Sequence, residues 1–147
     1  MIKKQLRAIL LSVIAIFISN ISMSQDKVIT NSQIPAEIQH YVKTHFPQHT
    51  IARAEINKEG LQKEYEIKLN DRTQLEFNSK YQIIKIDADT ALPQSVISAK
   101  LQSYIKTNYP QNHITEWELD NKGQEIKLNN GIKLEFSKQG NFKRVDH

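Results

Sequence analysis

The chain has 147 residues, a formal net charge of +4 and no cysteine, which excludes disulfides, thiolate nucleophiles and cysteine metal ligands. Three of the basic residues precede residue 8, and without residues 1–24 the remaining 17 basic and 16 acidic residues almost cancel. Because lysine and glutamate are interspersed rather than clustered, this balance argues against nucleic acid and anionic membrane as partners.

The first segment is predicted to be a secretory signal peptide. Lys3, Lys4 and Arg7 precede an apolar run over residues 8–18, and the small residues Ser22 and Ser24 follow it. A membrane anchor is the alternative, but an uninterrupted run of eleven apolar residues is short of the ~20 that span a bilayer. We therefore expect cleavage after residue 24, no membrane span after cleavage, and a periplasmic or secreted chain over residues 25–147.

An internal duplication organises the rest of the chain. Residues 41–51 match residues 104–114 at an offset of 63 positions, and residues 65–70 match residues 124–129 at an offset of 59. The second copy thus lacks four residues near Gly123, as expected for a loop or a strand end.

Each copy begins with a predicted helix. Pro35 and Pro93 stand where a helix can start, because the first turn needs no N–H from proline. Apolar residues then recur at helical spacing until Pro47 and Pro110 end the two helices. We interpret the aromatic residues of these stripes as core contacts against a sheet.

Four strands are predicted to follow each helix. In residues 64–69 apolar and charged side chains alternate, which is typical of a half-buried strand, and residues 73–77 and 132–136 continue the pattern. Turn residues, including an Asn-Gly pair at residues 130–131, separate the two central strands of each copy. The outer strands are predicted over residues 50–57, 81–87, 114–120 and 142–146. Their apolar residues break strict alternation, which a bulge or a late strand start would explain.

The predicted fold class is α+β. Each repeat, over residues 34–87 and 92–146, is a helix followed by a four-stranded antiparallel sheet. A unit of this size is marginal alone, so we expect residues 25–147 to form a single domain. The two repeats would then share one continuous sheet, with both helices on the same face.

The order of these elements resembles the PepSY-like family of exported bacterial proteins, also described as β-lactamase-inhibitor-like. The residues that carry the resemblance are the aromatic-Pro pairs ending at Pro47 and Pro110, the segments 65–70 and 75–77 with their copies, and the closing aspartates Asp87 and Asp146. The resemblance implies a periplasmic or cell-surface protein with a tandem helix-plus-four-strand fold. By analogy it also implies binding or inhibition of another protein, and it supplies no functional residues to carry over.

No catalytic motif accompanies these elements. The sequence has no Gly-x-Ser-x-Gly motif and no phosphate-binding glycine loop. Pro47 interrupts the segment that holds His45 and His49, and three converging ligands would be needed for a zinc site. We therefore expect a non-enzyme without metal or cofactor.

The charged face of the sheet is the candidate binding surface. The side chains assigned to it are Glu64, Glu66, Lys68, Gln74, Glu76, Glu125, Lys127, Lys133 and Glu135. Trp117 and Tyr81 are added as aromatic candidates, because tryptophan is enriched at interfaces. Trp117 aligns with Ala54, so it either fills an asymmetric gap in the core or contributes to an interface.

Two hypotheses remain at this stage. The first is an exported module that binds or inhibits an envelope protein or peptide through the sheet face, with an exposed aromatic residue among the charges. The second is a periplasmic protein that binds a small ligand or a metal in an apolar pocket or at His40, His45 and His49. A plain solvated face is the alternative to both.

Overall fold

The computed structural model describes residues 26–59 and 62–146. The elements, in chain order, are β1 (Lys27–Val28), α1 (Ala36–His45), β2 (Ile51–Glu59), β3 (Gln62–Leu69), β4 (Gln74–Phe77), β5 (Ile83–Asp87), α2 (Ala99–Asn108), β6 (Ile114–Leu119), β7 (Gln124–Leu128), β8 (Lys133–Phe136) and β9 (Phe142–Asp146). A short 3-10 turn precedes each helix. The predicted signal peptide, residues 1–24, lies outside the described residues.

The strands form one nine-stranded sheet in which each strand pairs with the next along the chain. Every pairing is antiparallel, including that of β5 with β6, which joins the two repeats. The α+β prediction of a tandem repeat in one continuous sheet is therefore confirmed.

One row of apolar residues crosses the inner face of this sheet from β2 to β9. The row consists of Ala54, Ile67, Leu75, Ile86, Trp117, Ile126, Leu134 and Val145. Both helices pack on this face, since Tyr41 meets the ring of Phe77 edge-on at 5.3 Å and Tyr104 meets Phe136 in the same way at 5.2 Å. The repeats thus share a single core.

The prediction for the start of the second helix is wrong. Helix α2 begins after Ser98, whose hydroxyl accepts a hydrogen bond from the amide of Leu101, whereas Pro93 precedes the 3-10 turn. The offset of 63 positions makes Ser98, and not Pro93, the counterpart of Pro35. A fixed proline φ near −65° suits the first turn of either helix type, so proline alone did not distinguish them.

The irregular outer strands contain bulges, as predicted. The register shifts between Ile51 and Arg53 in β2 and between Ile114 and Glu116 in β6. Further shifts lie where Phe77 meets β5 and where β8 meets β9. Each bulge moves one residue out of alternation, and the apolar residues on both sides of it can then reach the core.

Candidate functional site

The outer face of the sheet, opposite the helices, carries a cross-strand row of charges. Its members, which we call the glutamate row, are Glu55, Glu66, Glu76, Lys85, Glu118, Glu125, Glu135 and Arg144. A parallel row, the mixed row, comprises Arg53, Lys68, Gln74, Asp87, Glu116, Lys127, Lys133 and Asp146. Alternation along each strand places both rows on this face, because successive side chains point to opposite sides.

Most residues predicted for the sheet face lie in these two rows. Glu64 is two residues from Glu66 on β3 and lies opposite Asn57. The prediction missed Glu55, Lys85, Glu116, Glu118 and Arg144, which belong to the same rows. Alternation in the outer strands could have found them, but the bulges obscured it.

Glutamates of the second repeat are neutralised by neighbouring cations. The Nζ atom of Lys133 lies 2.8 Å from Oε1 of Glu125, and Nη2 of Arg144 lies 2.6 Å from Oε1 of Glu135. The hydrogen bond from Arg144 lowers the pKa of Glu135. Glu125 and Glu135 face each other across β7 and β8, where two bare carboxylates would repel. The two cations remove that cost.

The same positions in the first repeat form no such ion pairs among the described residues. Gln74 stands in the place of Lys133, at the offset of 59 positions. Lys85, in the place of Arg144, lies opposite Glu76 of β4, but its Nζ forms ion pairs at 3.6 Å with carboxylate oxygens of Glu116 and Glu118. Within the described part of the chain, Glu64 and Glu76 therefore form no ion pair.

Glu66 completes a cluster with these two glutamates. Its carboxylate accepts a hydrogen bond of 3.2 Å from the neutral amide of Asn57. The pKa of Glu76 is raised, chiefly by burial and further by repulsion from carboxylates such as Glu64, while Lys85 opposes the shift. We call Glu64, Glu66 and Glu76 the acidic patch.

A groove of ≈ 700 Å³ borders the acidic patch. Glu64, Glu76 and Glu118 contribute carboxylates to its lining, and Ile84 and Leu119 contribute apolar surface. Ile84 is the extra residue of the bulge in β5, because Lys85 and Ile83 pair with consecutive residues of β4. The bulge thus brings an isoleucine to the charged side of the sheet.

The structure places the two aromatic candidates on the inner face, not the outer one. Trp117 is 8% exposed and pairs with Ile86 and Ile126 in the core row, and its indole N–H donates to Oε1 of Gln124 at 2.9 Å. Tyr81 is half-buried and packs edge-on against the buried Tyr65 at 5.4 Å. Neither ring is therefore available to the charged face.

His45 and His49 of the first repeat have different side-chain partners. Nδ1 of His45 forms a 2.9 Å hydrogen bond with the Ser95 hydroxyl, and burial, with a contribution from His40, lowers the pKa of His45. Nδ1 of His49 lies 3.4 Å from Oδ2 of Asp71. Across residues 26–59 and 62–146, the structure contains no group of three or more histidine, aspartate or glutamate side chains that could hold a metal. Neither helix in these residues is long and apolar enough to cross a membrane.

Comparison with known proteins gives consistent matches. A family model described as "Putative beta-lactamase-inhibitor-like, PepSY-like" matches residues 20–85 and again 86–144. A solved structure from Bacteroides thetaiotaomicron, described as a "putative calcium-regulated periplasmic protein", is 32% identical, with a TM-score of 0.79, and the match covers 83% of this chain and 97% of that one.

Two solved structures from Bacteroides vulgatus, both described as putative periplasmic proteins, are also similar. One is 31% identical over 84% of this chain and 98% of that one, and the other is 29% identical over 84% and 100%, each with a TM-score of 0.79. No curated protein matches the chain. The similarity therefore extends over nearly the whole of each solved chain.

Proposed function

The chain belongs to the PepSY-like family, and we propose that it is a periplasmic, non-catalytic module that binds a cationic segment of an envelope protein or peptide at the acidic patch. One observation carries the proposal. Glu125 and Glu135 form ion pairs with Lys133 and Arg144 in the second repeat, whereas the equivalent Glu66 and Glu76 form none among the described residues, although Lys85 lies opposite Glu76.

A lysine or arginine of the ligand would supply the missing neutralisation. The three carboxylates lie on adjacent strands, where like charges destabilise the sheet, so an incoming cation gains the attraction and relieves the repulsion. Arginine can also bind a carboxylate through two parallel hydrogen bonds. Glu76 is half-buried, and its charge is consequently screened less by salt than that of a fully exposed group.

The adjacent groove favours a side chain with an aliphatic stem. Ile84 and Leu119 lie beside the carboxylates of Glu76 and Glu118 in its lining. Lysine and arginine bury their methylene groups on apolar surface and keep the charged end in a polar environment. This arrangement favours a peptide with both basic and apolar residues over a small inorganic cation.

The experiment uses residues 25–147, which include every described element. A short fluorescent peptide of alternating lysine and leucine is titrated by anisotropy at low and high salt, and its glutamate-for-lysine counterpart serves as the control ligand. We expect the triple variant Glu64→Gln, Glu66→Gln, Glu76→Gln to weaken lysine-peptide binding by about tenfold or more.

The second repeat offers a matched control. The double variant Glu125→Gln, Glu135→Gln changes the equivalent glutamates, which already have cationic partners. It should alter binding by less than about twofold. Equal losses in the two variants, or equal binding of the glutamate peptide, would contradict the proposal.

Two further measurements test narrower forms of the function. The family description makes inhibition the first activity to assay. Hydrolysis of a β-lactam by a β-lactamase is therefore measured with and without the chain. Because one similar protein is described as calcium-regulated, calcium is titrated alone and in competition with the lysine peptide. Calcium saturation at the patch with no peptide binding would favour the metal-binding alternative.

A further inference from the structure

The last strand of the sheet, β9, has the same sequence of side-chain types as β5, the strand that joins the two repeats. Residues 144–146 of β9 pair with β8 in the same register in which residues 85–87 of β5 pair with β4. Both segments read cation, branched aliphatic, aspartate. The cation and the aspartate lie on the outer face, and the aliphatic residue lies in the core row.

Strands β5 and β9 differ at the edge that faces away from β4 and β8, respectively. On β5, strand β6 pairs antiparallel, with Trp117 opposite Ile86 and Glu118 opposite Lys85. On β9, no strand among residues 26–59 and 62–146 pairs beyond it. The position that β6 occupies beside β5 is thus open beside β9.

The backbone of β9 is oriented to accept such a strand. The amide of Ala88 donates to the carbonyl of Thr115 at 2.9 Å, so Ala88 and, two residues earlier, Ile86 direct their backbone groups towards β6. Val145 holds the register position of Ile86. Its N–H and C=O therefore point to the open edge, and those of Arg144 point to β8.

Charges and a bulge often protect sheet edges, and β9 has both. However, β5 carries an equivalent bulge and the same charge pattern, and its residues 85–87, which follow the bulge, pair with β6 in this chain. These features are therefore compatible with strand pairing here. Phe142 adds apolar surface, since it is 40% exposed while its ring stacks on that of Tyr104 at 4.8 Å.

We propose that the open edge of β9 binds an extended segment of a partner protein as a tenth, antiparallel strand. The segment places a large aromatic residue opposite Val145, on the side of Phe142, and a carboxylate opposite Arg144, as β6 does for β5. Backbone hydrogen bonds supply affinity and the alternate side chains supply selectivity. This site is separate from the acidic patch and does not depend on the function proposed for it.

The probe is a labelled peptide with the sequence of residues 113–120, which contains the whole of β6. It is titrated into residues 25–147 by fluorescence anisotropy. We expect saturable binding that falls at least about tenfold when the peptide tryptophan is replaced by alanine. Failure of the parent peptide to bind would overturn the proposal.

Backbone methylation of the peptide tests the pairing without altering the protein. In β6, Thr115 and Trp117 direct their backbone groups to β5, and the intervening Glu116 directs its own to β7. N-methylation at the tryptophan should therefore abolish binding, whereas N-methylation at the following glutamate, Glu118, should leave it within about twofold. Equal effects at the two positions would exclude strand addition.

A protein variant locates the site. Val145→Pro removes an N–H that faces the open edge and no ladder bond to β8, so the fold should persist while peptide binding is lost. Unchanged peptide binding would place the peptide elsewhere and overturn the proposal. Sedimentation of the parent as a dimer that Val145→Pro converts to a monomer would identify a second copy as the occupant and would also overturn it.

Discussion

Gln74 and Lys133 occupy the same position of the two repeats, but only Lys133 has a glutamate as an ion-pair partner. Lys133 reaches Glu125 at 2.8 Å from the diagonal position on β8. Gln74 has the same register relation to Glu66. The residue type at this position therefore decides whether the neighbouring glutamate has an ion-pair partner there.

Exchanging these residues should move the binding surface. Gln74→Lys is expected to pair with Glu66 and weaken lysine-peptide binding by about tenfold, because the patch loses net negative charge. Lys133→Gln is expected to expose Glu125 and create a second, weaker site. Titration calorimetry of each variant measures both the affinity and the number of sites.

The double exchange provides the control. A chain with both substitutions keeps its net charge, so any effect of overall charge on binding cancels. If affinity followed net charge alone, both single variants would shift in proportion to charge, with no change in the number of sites. That result would disprove a localised patch.

Glu76 and Glu135 are equivalent glutamates that should affect stability with opposite dependence on pH. Burial first, and then nearby carboxylates, raise the pKa of Glu76 above its ordinary value of 4.5. The folded state then binds the proton more tightly than the unfolded state. The contribution of Glu76 to stability is therefore present below the ordinary pKa and is lost as pH rises through the raised one. Glu76→Gln should therefore be more stable than the parent at neutral pH, by under about 1 kcal/mol after solvent screening.

Glu135 should show the reverse behaviour. Its hydrogen bond with Arg144 lowers its pKa, so its stabilising contribution is present above the ordinary pKa and is lost as pH falls through the lowered one. Glu135→Gln should be less stable than the parent at neutral pH and equal to it in acid. Urea unfolding of the parent and both variants at pH ~7 and pH ~3 gives the comparison. Parallel profiles for the two variants would show that the environments are alike.

The fold was predictable from the sequence because each strand of the central hairpins alternates without interruption. Tyr65, Ile67 and Leu69 are all buried, as that pattern requires. The neutralisation of the outer face was not predictable, because it depends on cross-strand register. Lys85 sits in β5 beside a bulge and contacts Glu118 of the next repeat, a pairing that no spacing along one strand reveals.

The aromatic residues show the same limit. The bulge between Ile114 and Glu116 sets which face of β6 receives Trp117, so a simple period of two does not assign it. Tyr81 has a φ of 63°, a left-handed conformation that interrupts the extended chain before β5. For a residue next to a bulge or a left-handed turn, alternation along the sequence therefore does not determine burial.

Trp117 is expected to stabilise the core without affecting binding at the acidic patch. Trp117→Ala should lower the free energy of unfolding by about 3–5 kcal/mol, because it leaves a cavity in the inner row and an unpaired Gln124 amide oxygen. Trp117→Phe should cost less, since most of the apolar volume remains. Denaturant unfolding gives both values, and lysine-peptide affinity is measured where each variant is folded. A loss of affinity in folded Trp117→Phe would show that the ring acts at the binding surface.

Gly123 should be the least replaceable of the glycines in the β-turns. It has a φ of +150°, and a Cβ atom there would lie 2.1 Å from the carbonyl oxygen of Phe136. Gly131 has a φ of +87°, but a Cβ atom there would meet nothing within 4 Å. Its counterpart in the first repeat, Arg72, carries a side chain at a φ of 75°.

Gly131→Ala should therefore cost only the left-handed backbone penalty of about 1–2 kcal/mol. Gly123→Ala should cost more, because β8 must also move away from the turn, and this turn holds Asp120 beside the groove through a 2.9 Å hydrogen bond from the Gly123 amide. Urea unfolding of the two variants measures the difference. Equal losses of stability in the two variants would mean that the turn around Gly123 can relax. Its close approach to β8 would then not depend on this glycine.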